Sequence, residues 1–380
     1  MQNLRKKVSS CKRFWKLQKS GLSVEAAKEN LVPVPFDSAI CFSGQGQFHP
    51  LRYINALLSE FIKLGGVLLP DTMINENSFE NQVYTLATIK GPIRAKKLIY
   101  ATHIPPGLGL MNFRNAPYRS YVLGVRLKNQ NYPEGLAYDM QEPYHYFRTQ
   151  EIDGQPYLIV GGQDHKTGHG DPEQAFKSLE DYVRQYYELE SVDYRWSSQY
   201  YVPVDGLPYI GQFPGADKGT YMATGFNGNG MMFGTLSAKI ICDLILEKEN
   251  PYAHLFDPSR SKPVAGFKEF VKENADVAWH FFADRLSPVQ LKSLADLKSG
   301  EGKLVDFDGK KLAVYKDELG KVTALNPRCT HAGCIVQFNA AEISWDCPCH
   351  GGRFDISGKV ITGPPTIDLE TLIVSYDLPS

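Results

Sequence analysis

Four residues near the C-terminal end constrain this 380-residue chain more than any others: Cys329 and His331, then Cys347 and His350. They read C-x-H-x15-C-x2-H, so each short loop carries one sulfur and one imidazole. A loop of that length lets both side chains reach one metal site, and two such loops offer two thiolates and two imidazoles. That donor set is what a [2Fe–2S] centre needs when two histidines replace two cysteines on one iron. A structural zinc site also takes two cysteines and two histidines, but its spacing normally pairs Cys with Cys and His with His. Here each loop mixes the two, and Pro348 sits inside the second. The ligand pattern favours iron–sulfur over zinc. Cys334 and Cys349, one in each loop, either close a disulfide over the site or remain buried thiols.

The run C-T-H-A-G-C at 329–334, C-P-C-H-G at 347–351 and Gly363-Pro364-Pro365 resembles the Rieske domain of the bc1/b6f type. The resemblance implies Cys329 and Cys347 on one iron, His331 and His350 on the other, and a Cys334–Cys349 disulfide. It also implies that the Gly-Pro-Pro segment shields the cluster and that about the last 85 residues form an all-β fold. One departure bears on redox behaviour. The family reads C-P-C-H-G-S-x-Y, whose two hydroxyls donate to cluster sulfurs, whereas this chain has Gly352 and Phe354 in their places. Losing both donors predicts a potential near or below the middle of the Rieske range of about −150 to +300 mV. Arg353, between them, either points its charge at the cluster, which would offset part of the loss, or is solvated, the reading favoured here.

The length fits two domains with a connecting segment. A net charge of −1, with 43% hydrophobic and 22% charged residues, gives no reason to expect nucleic acid or an anionic membrane as partner. No run approaches the ~18 apolar residues of a membrane span. Seven cysteines, four of them in the two loops, argue against a secreted disulfide scaffold and for a cytoplasmic enzyme. Residues 1–24 are basic and acid-free, which reads either as a transit segment or as the exposed face of a helix. Cys11, Cys41 and Cys242 read as buried small hydrophobes.

The rest of the chain mixes strands and helices. Pro50 opens a helix with Leu51, Ile54, Leu57 and Phe61 at helical spacing, ended by Gly65-Gly66. Val67 to Leu69 reads as a buried strand, and 82–88, 98–102, 119–127 and 156–161 as further strands. Asp171-Pro172 starts a second helix. Residues 264–295 read as a linker helix, with Phe267, Phe270, Val271 and Phe281 on its apolar face.

Two stretches say most about chemistry. Asp205-Gly206-Leu207-Pro208-Tyr209-Ile210-Gly211 is followed by Y-M-A-T-G-F-N-G-N-G-M-M-F-G at 221–234 and an apolar helix. Glycines before a helix leave backbone N–H groups free to meet an anionic group. The pair resembles the C-terminal part of the FAD-dependent D-amino-acid oxidase/glycine oxidase family. Other segments, such as Ala101-Thr102 where that family has A-T-G or A-T-N, extend the resemblance over about 36–250. It implies FAD lying against Gly225, Gly228, Gly230 and Met231, with the helix dipole stabilising the anionic reduced flavin. The family also opens with G-x-G-x-x-G around the pyrophosphate, and this sequence contains none. That leads us to expect about 100 or more preceding residues to be missing, and FAD to bind weakly to the chain as it stands. The family's substrate arginine before D-G-x-P is replaced here, with Tyr200 near its place. Arg148 either grips a substrate carboxylate instead or serves in a structural ion pair.

The expectation is therefore an α+β chain: an amino-acid-oxidase-like domain over 1–263, a linker over 264–295 and an all-β Rieske domain over 296–380. Such a chain is an FAD-dependent oxidoreductase that dehydrogenates an amine-type small molecule and passes single electrons through a [2Fe–2S] cluster to an acceptor. The alternative is a flavin-free electron carrier with a docking domain derived from a flavoprotein. A Rieske oxygenase is disfavoured, because only 30 residues follow His350 and cannot supply a second iron site.

Overall fold

The computed structural model describes residues 24–26, 32–35, 40–42, 44, 46–107, 109–260, 274–275, 279–280, 297–307 and 309–372. The readings of the basic residues 1–23, of Cys11 and of most of the linker helix lie outside them. The chain forms two compact units, one of 1–67, 121–163 and 176–196, the other of 68–120, 164–175 and 197–380.

The first elements are an antiparallel pair, β1 (Val24–Ala26) and β2 (Ile40–Phe42), and then α1 (Pro50–Lys63). Pro50 needs no N–H partner at a helix start, and its preceding residue His49 is extended, so α1 begins there. Its periodic apolar residues are present as expected, but none is buried. Val67, Leu68 and Leu69 form no strand and are exposed, which corrects the buried-strand reading: three apolar residues in a row carry no period.

In the second unit β3 (Ile74–Glu80), β4 (Val83–Thr88) and β5 (Ile93–Ala95) make an antiparallel sheet, followed by β6 (Leu98–Tyr100). The short α2 (Leu110–Phe113) leads into β7 (Asn115–Leu127), β8 (Leu136–Tyr138), β9 (His145–Ile152) and β10 (Gln155–Lys166). α3 (Pro172–Tyr186) and β11 (Leu189–Pro203) come next, and the sheet order is β11-β7-β10-β9-β8. Asp171 caps α3 through its carboxylate, which accepts from the Glu173 and Gln174 N–H groups. Phe176, Leu179 and Val183 line its buried face.

β12 (Tyr209–Gln212) and β13 (Thr220–Thr224) pair antiparallel, and β13 runs parallel to β6, giving the order β12-β13-β6. α4 (Gly230–Ile245) and α5 (Ala253–Phe256) pack on that sheet around Ile210, Tyr221, Ala223, Ile240, Ile241 and Phe256. The C-terminal region is all β, as expected. β14 (Glu301–Phe307), β15 (Lys310–Lys316) and β16 (Val322–Leu325) form one sheet with β21 (Thr371–Leu372). Between them in sequence, β17 (Gln337–Asn339), β18 (Ser344–Asp346), β19 (Arg353–Asp355) and β20 (Val360–Thr362) form the other. Trp345 and Phe354, both fully buried, join Cys329, Cys347 and the disulfide cysteines in one apolar cluster.

Candidate functional site

The two metal-ligand loops leave the second C-terminal sheet and its neighbour at defined points. Cys329 to Cys334 lies between β16 and β17. It is closed on itself by the Cys329 N–H donating to the Cys334 carbonyl and the Gly333 N–H to the Cys329 carbonyl, both at 2.8 Å. Cys347 to Gly352 lies between β18 and β19 and is closed by Cys347 N–H to the Gly352 carbonyl at 2.7 Å. Gly351 has φ +73, and a Cβ there would stand 2.7 Å from Pro117, so both backbone shape and close approach require glycine. Cys334 and Cys349 are bridged, which ties the loops together. The sulfurs of Cys334, Cys347 and Cys349 lie within 4.8 Å of one another, but of these three only Cys347 keeps a thiol for a metal.

Cys329 and Cys347 are free thiols no more than 3% exposed, and the rings of His331 and His350 are 4.9 Å apart. His350 is 3% exposed, and among the described residues neither of its ring nitrogens has a hydrogen-bond partner; Nδ1 of His331 has none either. Buried polar atoms are rarely left unsatisfied unless something else binds them. Burial, then the neighbouring His331 and Lys166, push the His350 pKa down to about 3. Burial also lowers His331. Both rings are thus neutral near pH 7, the form that binds metal. The Cys329 sulfur accepts from the Cys347 thiol and from the backbone N–H groups of His331 and Ala332, so it ionises first and Cys347 is pushed up. The donors fit a [2Fe–2S] cluster: two thiols, two free imidazole nitrogens and N–H groups aimed at sulfur.

Behind the second loop lies a buried ionic network that sequence reasoning missed. Glu342 accepts from Arg119 of β7 at 2.6 Å and from Arg353 at 2.7 Å, and the Ser197 hydroxyl of β11 donates to it at 2.7 Å. Arg353 also pairs with Asp346 at 2.8 Å. Arg353 is therefore not solvated; its partners are carboxylates on its own sheet. Gln199 Nε2 donates to the Gly351 carbonyl at 3.0 Å, and the Tyr201 hydroxyl to the His350 carbonyl at 3.1 Å. The only signal in the sequence was three charges close together, Glu342 and Asp346 before the Cys347–Gly351 loop and Arg353 after it.

The glycine turn is built differently. Thr224 ends β13, Gly225 turns the chain at φ +75 beside the unpartnered Asn115 Oδ1, and α4 starts at Gly230. Its N-cap, Asn229, makes no side-chain capping bond, and a Cβ at Gly228 or Gly230 would meet no atom of the described residues within 4 Å. Met231 is half-buried. An uncapped helix start with open space before it fits the edge of an anionic cofactor such as FAD. Arg148 lies in the other unit, on β9, and donates to the Phe48 carbonyl at 3.2 Å and Gln150 Oε1 at 2.7 Å. It has no carboxylate partner among the described residues, so the ion-pair reading is not realised. Cys242 is exposed on α4 rather than buried, a correction that follows from α4 covering its sheet with Ile240 and Ile241.

Residues 1–244 match the family described as FAD dependent oxidoreductase, and 287–373 match the Rieske [2Fe-2S] domain. The chain belongs to the FAD-dependent oxidoreductases. It is also 34% identical, over 91% of its length and 68% of the relative's, to YhfW of Bacillus subtilis (strain 168), a protein named as a Rieske 2Fe-2S iron-sulfur protein. The cytochrome b6-f complex iron-sulfur subunit of Synechococcus elongatus is 40% identical over 22% of this chain and 49% of that subunit. Glycine oxidase from Geobacillus kaustophilus shares the fold over 69% of this chain and 73% of its own, with a TM-score of 0.53 and 19% identity. This oxidoreductase thus joins an amino-acid-oxidase-like fold to a Rieske domain, and those two families imply FAD and a [2Fe–2S] cluster. Among the described residues no helix is long and apolar enough to cross a membrane.

Proposed function

We propose that this oxidoreductase dehydrogenates an amine-type small molecule and passes the electrons singly through its cluster to a one-electron acceptor. What supports the reading most is one compact unit that carries both a buried Cys/Cys/His/His set with free donor atoms and an uncapped helix start behind glycines. Bound FAD supplies hydride chemistry that side chains cannot. The chain's own groups position and balance charge. Gly225, Gly228, Gly230 and Met231 would run along the flavin, with the α4 dipole facing its anionic edge. Arg148, a guanidinium with no carboxylate partner among the described residues, would bind a substrate carboxylate. Cys329, Cys347, His331 and His350 would hold the cluster, and the Cys334–Cys349 bridge would keep the two loops from spreading.

In this reading residues 1–263 form the oxidoreductase domain, 264–295 the linker and 296–380 the Rieske domain. Only three of seven cysteines lie outside the loops, which supports a reducing compartment such as the cytoplasm. The test is iron and acid-labile sulfide analysis of the purified chain, then anaerobic addition of amino acids and secondary amines to the FAD-loaded protein. The expected result is one [2Fe–2S] cluster per chain with a low average g value on reduction, and flavin bleaching by at least one amine. One zinc and no sulfide would overturn the cluster assignment.

A further inference from the structure

The segment after β6 touches both parts of the site. Ala101-Thr102-His103 stands where the resembling family has a glycine or asparagine in third place, residues that tolerate a left-handed backbone. His103 keeps that left-handed backbone, at φ +67, a conformation that histidine adopts more readily than most side chains. The His103 ring stands edge-on to the Tyr201 ring, with centroids 4.8 Å apart. Its carbonyl accepts from the hydroxyl of Thr224, the residue before Gly225, at 2.5 Å. Four residues on, the Gly107 carbonyl lies 3.1 Å from Nε2 of His331. With Nδ1 of His331 unpartnered, Nε2 is the nitrogen that carries the proton and donates it to Gly107. Tyr201, 1% exposed, donates from its hydroxyl to the carbonyl of His350. The backbone N–H of Asn227, in the glycine turn, donates to the carbonyl of the same tyrosine at 3.0 Å.

We propose that the segment 102–107 and Tyr201 form an internal strap that fastens both histidine ligands to the glycine turn, with His103 and Tyr201 as its positioning residues. The strap occupies the outer nitrogen of His331, the ring atom through which a separate donor would most directly reach the cluster. Electrons then enter the cluster from within the chain. This rests on the flavin-to-cluster reading above. Each substrate oxidation releases two electrons, which cross the strap one at a time. The two protons of the amine-to-imine oxidation would leave to solvent, and the bound cluster would take one electron at a time, each passed to a one-electron acceptor of the ferricyanide class before the next.

The experiment uses the full, cluster-loaded chain and the variants Tyr201→Phe, His103→Gly and His103→Asn. Iron and sulfide analysis comes first, because an absent cluster refutes the underlying reading rather than the strap alone. With the cluster present, its EPR relaxation is measured with and without a soluble dysprosium–EDTA complex, and its potential is titrated. The wild type should relax little more with dysprosium than without. His103→Gly, which suits the left-handed backbone but removes the ring, should increase the enhancement several-fold at unchanged iron content. Tyr201→Phe should lower the potential, since a hydroxyl no longer draws charge from the His350 peptide. His103→Asn, which suits the backbone but lacks the ring, should behave as His103→Gly. Strong dysprosium relaxation of the wild type overturns the proposal, as do variants that match the wild type in both readouts.

Discussion

Around the cluster loops, Cys329, Cys347 and His350 are at most 3% exposed, whereas an added Cβ at Gly228 or Gly230 of the glycine turn would have no atom of the described residues within 4 Å. The loops are closed by their own backbone hydrogen bonds, a disulfide and a shared carboxylate; the turn leaves its first-turn amides uncapped. Both lie in one compact unit, so the contrast is not one of stable against unstable chain. It separates a site organised to hold a group permanently from one whose ligand completes it. In the first, rigidity comes from residues that never touch the metal. In the second, the unmet hydrogen-bonding capacity is itself the recognition element.

Five measurements would break or sharpen that contrast. Cys347→Ser should abolish the cluster outright, with iron falling to background while Gly230→Val leaves it intact; retained iron would break the comparison at its stronger end. Glu342→Gln removes the carboxylate that Arg119 and Arg353 share, and breaking such a buried pair costs about 3–5 kcal/mol. Thermal unfolding should register this as a fall of several degrees, and an unchanged midpoint would show that the network is not what holds the second loop. Cys334→Ala with Cys349→Ala opens a closed loop with a sequence separation of 15. The expected loss is about 3 kcal/mol, read by denaturant titration.

The open site predicts smaller energies. Gly230→Val puts a branched side chain where the cofactor edge should lie, and FAD affinity measured by fluorescence titration should fall at least about tenfold, ~1.4 kcal/mol. Cluster EPR should not change. The smallest effect is on potential. Phe354→Tyr should raise it by roughly 40 mV or more, about 1 kcal/mol for one hydroxyl donor to sulfur. Gly352→Ser is a poorer probe than its sequence suggests, because an added Cβ would stand 2.7 Å from Pro365 Cδ and force the proline segment to shift.

The sequence was most legible where chemistry is local. Cys329, His331, Cys347 and His350 declare themselves because a ligand pair must come from one tight loop, and such spacing survives in the chain as written. The helix starts at Pro50 and Asp171 were legible for the same reason: capping is decided within four residues. What could not be seen depends on distant partners. Arg119 and Glu342 are 223 residues apart, and nothing in either neighbourhood marks it as half of an ion pair. Tyr201 reads as one aromatic in a strand, and His103 as one scattered histidine, until the parallel pairing of β6 with β13 sets the segment after β6 beside the glycine turn. Val67 to Leu69 failed differently: apolar composition without period or cap does not decide structure.

The shared carboxylate also bears on how such a chain can change over generations. Peptide linkage alone makes a C-terminal domain a neighbour that can be exchanged for another. Glu342 makes it a dependant, because Arg119 sits on a strand of the oxidase-like sheet while Arg353 sits two positions after the Gly351 of the ligand loop. A substitute domain lacking an acid at that place would remove the carboxylate that faces Arg119 in the interior, and a substitute sheet lacking Arg119 would leave Glu342 only the Arg353 half of its pairing. Substitutions at these three positions should therefore be tolerated only in concert, so that the two parts drift together rather than as separable modules.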